Sequence, residues 1–111
     1  MKNNNAYLQH ILLAIKYIET FLDHVSEKKF SHDVLIQSAV IRQLEIIGEA
    51  VRNLPVEIKK SHPHVPWKEI AGLRNKLIHE YSGVNLEVVW KTLETYLPAL
   101  KPKIERLLRK K

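Results

Sequence analysis

The chain of 111 residues has no cysteine, so neither a disulfide framework nor a thiolate zinc site is open to it. Glycine is scarce at three residues, and no glycine-rich loop exists to cradle a nucleotide phosphate, which excludes P-loop chemistry. No apolar run approaches the ~18 residues that span a bilayer. The opening stretch Met1 to Asn5 is polar, where a secretory leader would be apolar. The expectation is a cytoplasmic protein with no membrane partner. Acidic side chains are in deficit, 12 against 18 Lys and Arg, leaving a net charge of +6 that suggests polyanions as partners without proving them. What is present is 45% hydrophobic and 27% charged residue content, which suits a compact helical protein and argues against disorder. The length fits one domain of residues 1–111, able to bury roughly 65% of the surface its unfolded chain exposes.

Periodicity sets the class. Leu8, Ile11, Ile15, Ile18, Leu22 and Val25 alternate three- and four-residue steps, the seam of one helix from about Asn4 to Ser26. The stretch Glu27 to His32 breaks that pattern, and Ser31 or Asp33 can cap a second helix that continues to about Asn53. Pro55 stops it and opens a short helix to Lys60, followed by an irregular loop from Ser61 to Pro66. A third main helix starts at Pro66 or Trp67 and reaches Glu80 or Tyr81, where Ser82-Gly83 supplies the stop. Another follows Asn85 with Leu86, Val89, Trp90, Leu93 and Leu97 on one face; Pro98 then resets the chain into a last basic helix. The predicted architecture is all-α, an antiparallel bundle of four main helices plus short ones.

Polarity breaks the pattern in two places. The second helix is apolar over most of its circumference, from Leu35 to Leu54, yet Ser38, Arg42, Glu45 and Glu49 form one narrow stripe at ~100° per residue. Either Arg42 pairs with Glu45 and Glu49 along the helix, or the stripe faces a cleft or a second subunit. The third main helix carries Arg74, Asn75 and His79. Arg74 and His79 are roughly 140° apart on an ideal helix, so one copy alone does not aim both at a small ligand, whereas a two-fold axis beside the helix would. Such a cleft could cleave RNA without a metal. Two His79 side chains could take the proton of a ribose hydroxyl and protonate the leaving oxygen; Arg74 could hold the phosphate; Asn75 could orient the imidazole. The alternative is that His79 balances the helix dipole and Arg74 makes an ordinary ion pair with a residue such as Glu49.

These residues carry a family likeness. Arg74, four residues, His79, one residue and Tyr81 resemble the signature of HEPN-domain proteins of the HepT-like toxin group. The runs Ala39 to Ala50, His62-Pro63, Val65-Pro66-Trp67 and Val88-Val89-Trp90 resemble the corresponding stretches in the same order. The resemblance implies a HEPN-like homodimer with an RNA-cleaving cleft at its interface, Arg74 and His79 as catalytic residues, and no metal or other cofactor. It also implies a type VII-like toxin–antitoxin pair, in which a minimal nucleotidyltransferase antitoxin transfers AMP to Tyr81 and can assemble with the dimer. Asn75 and Glu49 are expected to support the site. The competing expectation is a catalytically weak interaction module that binds and is modified by that nucleotidyltransferase.

Other signals rank lower. His62 and His64 lack metal-site spacing, and His10, His24 and His32 are scattered. Trp67 and Trp90 read as core residues. The tail cations Lys101, Lys103, Arg106, Arg109, Lys110 and Lys111 read first as a solvated face, which could also add salt-dependent affinity for RNA or dock an acidic antitoxin surface.

Overall fold

The three- and four-residue spacing of Leu8, Ile11, Ile15 and Ile18 puts their side chains on one side of a helix, where each is at most 3% exposed. A computed structural model of the chain describes residues 4–79 and 86–109, with the side chains of residues 4 and 74–79 outside that description. Its elements are α1 (Asn4–Phe21), α2 (Glu27–His32), α3 (Val34–Arg52), α4 (Val56–Ser61), α5 (Trp67–His79) and α6 (Leu86–Arg109). No strand occurs among the described residues, so the chain is all-α, with four main helices and two short ones. No helix is long and apolar enough to cross a membrane among those residues.

Helix α3 is the hub: it packs along α1 on one side and α5 on the other, while α6 closes over α1. The core holds Ile11, Ile15, Leu44, Ile47, Ile70, Leu100 and Ile104, all essentially inaccessible to solvent. At ~25 cal/mol per Å² of apolar surface removed from water, each such side chain contributes roughly 1.5–3 kcal/mol.

The chain departs from its sequence pattern in three places. The first helix ends at Phe21 rather than Ser26, because the backbone turns through His24, whose φ of 60° is left-handed. The stretch Glu27–His32, which breaks the sequence pattern of the first helix, is itself helix α2, whose cap is Ser26, its hydroxyl oxygen accepting from the Lys29 amide at 3.1 Å. That turn of helix seats Phe30, fully buried, with its ring 5.3 Å from Trp90. Second, Pro98 does not reset the chain: α6 runs unbroken through Pro98 and Pro102. Both prolines lie on its exposed side, where the carbonyls that lose their N–H partners can bond water, while Leu93, Leu97, Leu100 and Ile104 keep one continuous buried stripe. Third, Leu35 is 80% exposed, since it shares the outward side of α3 with the polar stripe.

Candidate active site

Helix α3 is set in phase by its caps. The Asp33 carboxylate accepts from the Ile36 amide at 3.0 Å, and this bond, followed by the nearby Lys29 ammonium, holds its pKa below the usual 3.8 despite some desolvation. At the other end the Asn53 side chain donates to the Glu49 carbonyl oxygen at 2.9 Å and to Glu49 Oε2 at 3.4 Å. Between the caps, the stripe closes partly on itself: Arg42 Nη1 lies 3.5 Å from Glu45 Oε1. Arg42, Glu45 and Glu49 line a groove of about 270 Å³ together with Asn53 and, from α1, Tyr7 and His10. The stripe thus pairs internally at Arg42 and Glu45, and the groove it lines has α1 as its other wall, not the polar run of α5. One cation against two carboxylates leaves this groove net acidic, so it repels phosphate. His10 and Tyr7 were not legible as groove residues, because they meet the stripe only through the packing of α1 on α3.

Helix α5 is anchored at its start. The Trp67 indole donates to the His62 carbonyl at 2.9 Å, the Trp67 amide to the Val65 carbonyl at 2.7 Å, and the Ile70 amide to the Pro66 carbonyl at 3.0 Å. Val65, Trp67, Ile70 and Leu73 are buried, which fixes the rotation of the helix against α3. The helix continues without interruption to His79, so Arg74, Asn75 and His79 share one regular element, as the spacing requires. Their side chains lie outside the described residues, as do Glu80, Tyr81 and the expected Ser82-Gly83 stop. Register alone sets the Arg74 position four residues after Ile70 and seven after Trp67, between those two on the helix circumference. Asn75 and His79 fall instead in line with Lys68 and Gly72, both exposed, on the side turned away from the core.

Gly72 is the feature that sequence reading passed over. Beyond its own helix backbone and chain neighbours, no atom of the described residues lies within 4 Å of a Cβ placed there, so nothing described in the protomer excludes alanine. A glycine inside a helix nevertheless costs about 1 kcal/mol relative to alanine. The available signal was positional: Lys68, Gly72, Asn75 and His79 repeat the spacing of Ser38, Arg42, Glu45 and Glu49.

The remaining signals have local partners. His62 Nδ1 lies 3.2 Å from the Ile58 carbonyl oxygen and its ring 6.2 Å from that of His64. Among the described residues, no group of three His, Asp or Glu side chains is placed to hold a metal ion. Of the tail cations, Lys101 is held by Glu19 at 3.0 Å, a pair between α6 and α1 worth at most ~1 kcal/mol at this exposure. Lys110 and Lys111 lie outside the described residues.

Comparison with known proteins adds the chemical context. The profile of the family described as "Ribonuclease HepT-like" matches residues 11–107. The chain is 46% identical to a protein of Thermococcus cleftensis named "Probable ribonuclease HepT", covering 96% of each chain. It is 44% identical to one of Caldanaerobacter subterraneus subsp. tengcongensis named "Putative RNase", covering 99% of this chain and 98% of that one. No solved structure matches it.

Proposed function

The chain belongs to the ribonuclease HepT-like family, and from that premise we propose that it is a ribonuclease that cuts RNA by acid–base catalysis without a metal ion. The observation that carries the reading is the placement of Arg74, Asn75 and His79 on one uninterrupted helix, with Asn75 and His79 on its outward register. The residues supply every group the reaction needs. One imidazole takes the proton of a ribose 2′-hydroxyl, whose oxygen forms a bond to the adjacent phosphorus. The bond from phosphorus to the 5′-oxygen breaks, and a second imidazole protonates that oxygen. The products are a cyclic phosphate and a 5′-hydroxyl. Arg74 balances the charge that builds on the phosphate oxygens, and Asn75 orients the imidazole.

Because helical register sets the His79 position roughly 140° from that of Arg74, this reading takes the second imidazole from another copy of the chain across a two-fold axis. The active form in this reading is a homodimer with one shared cleft. Glu49 lines the groove that α3 forms with α1, so its supporting role in this reading is a contact across the dimer and not one to Arg74 of its own chain. The toxin role belongs to the same proposal, with a nucleotidyltransferase antitoxin that transfers AMP to Tyr81, two residues beyond His79. A bulky anion there would block the approach of phosphate.

The test is poisoning between copies. Arg74→Ala and His79→Ala are each expected to lower cleavage of RNA by ~10²–10⁴-fold. Mixing excess His79→Ala chains into the wild type and allowing the subunits to exchange silences the wild-type chains if the cleft needs an imidazole from each copy. Wild-type activity that is unchanged by the added variant, in a chain that light scattering shows to be monomeric, would contradict the shared cleft. A wild-type protein that binds the nucleotidyltransferase but cuts no RNA would favour the interaction-module reading.

A further inference from the structure

We propose that the outward side of α5 is a docking track for the RNA backbone: Lys68 holds a phosphate at one end, and Gly72 lacks a side chain so that the strand can lie against the helix on its way to His79. The proposal rests on the reading above in taking RNA as the ligand.

Gly72 supplies the first observation. It is exposed in mid-helix, and a Cβ added to it would meet no described atom within 4 Å outside its own helix backbone, so the described protomer gives no reason for the missing side chain. A helix that forgoes the stabilising alanine at such a position gains only toward something that approaches from outside. Register supplies the second. Lys68, Gly72, Asn75 and His79 lie along one line about 16 Å long at ~1.5 Å per residue, with Gly72 between the cation and the two candidate site residues. Charge supplies the third. Lys68 is exposed and has no ion-pair partner among the described residues, and exposed Lys60 and His64 precede it on α4 and the following loop. The groove between α1 and α3 is net acidic, so it is the poorer seat for a phosphate.

A second copy of the chain is a poorer occupant of this line. An antiparallel crossing of two α5 helices at Gly72 would set Lys68 of one copy against Lys76 of the other, like charge against like. A phosphate strand meets the same lysine with the opposite sign.

The experiment uses the full-length protein with His79→Ala as the common background, so that a labelled single-stranded RNA of mixed sequence is bound but not cut. Gly72→Ala is expected to raise the melting temperature by ~2–6 °C, as removal of a helix glycine should. The same substitution should weaken RNA binding about fivefold or more, the opposite direction from its effect on folding. Lys68→Ala is expected to lower the slope of log affinity against log salt by about 0.7, one phosphate contact on a single strand. Lys28→Ala, which removes the same charge from α2, should leave that slope unchanged. Gly72→Ala that stabilises the fold without weakening binding would overturn the proposal, as would equal salt effects at Lys68 and Lys28. A change in subunit association at Gly72→Ala, with affinity per dimer unchanged, would give the face to a second copy instead. Cleavage by the wild type is scored separately, so loss of the ribonuclease reading and loss of the track are distinct results.

Discussion

Helices α3 and α5 are neighbours in the fold, and each carries a polar line with the same spacing, yet the lines do opposite things with their polarity. On α3 the groups turn to one another: Arg42 pairs with Glu45, and Asn53 bonds Glu49. On α5 the described part of the line, Lys68 and Gly72, is exposed, and the lysine has no ion-pair partner among the described residues. A polar stripe on a helix therefore does not by itself announce a site. Whether its partners lie within the same element decides that, and the lines differ there.

The difference predicts unequal responses to substitution. The largest belongs to the outward line: His79→Ala is expected to cost cleavage ~10²–10⁴-fold while leaving the melting temperature within about a degree, because an outward-register side chain contributes little to the core. Parallel loss of stability and activity would erase the distinction between the helices. Next comes the anchor that aims the line. Trp67→Phe keeps an aromatic ring but removes the indole donor from the His62 carbonyl, and should destabilise the protein by ~1–2 kcal/mol and lower cleavage in step, measured by denaturant unfolding and RNA turnover.

Asp33→Ala should lower the melting temperature by a few degrees at neutral pH by removing the cap that phases α3. Its carboxyl is held below the ordinary 3.8, so the stabilisation is present above that value and disappears as acid protonates the folded form. The deficit relative to wild type should therefore vanish in melts at the lowest pH. The smallest effect is expected at Arg42→Ala, within ~0.5 kcal/mol, because an exposed i,i+3 pair contributes only tenths. A large loss of cleavage there would move α3 into the chemistry and break the comparison.

Most of the fold was legible because burial imposes periodicity. The seams of α1, α3, α5 and α6, the cap at Asp33 and the short helix after Pro55 all follow from local pattern. What escaped was set by tertiary context. Six residues of α2 are too few to be helical by propensity and are held by Phe30 against Trp90. Pro98 reads as a break, yet its position on the solvent side lets α6 continue. Leu35 reads as core by composition and is outward by phase. Of the proposed site, Arg74, Asn75 and His79 were legible as a spaced set of chemically competent groups. Lys68 and Gly72 were not, since a missing side chain is no motif. Tyr7 and His10 join Glu49 only once α1 is laid on α3.

Histidine-dependent, metal-free RNA cleavage on α5 is decided by incubating cellular RNA with purified wild-type and His79→Ala protein in excess EDTA. Cleavage by the wild type that survives the chelator and is lost in the variant is the predicted result. Equal cleavage by the two proteins, or none by either, would contradict the claim.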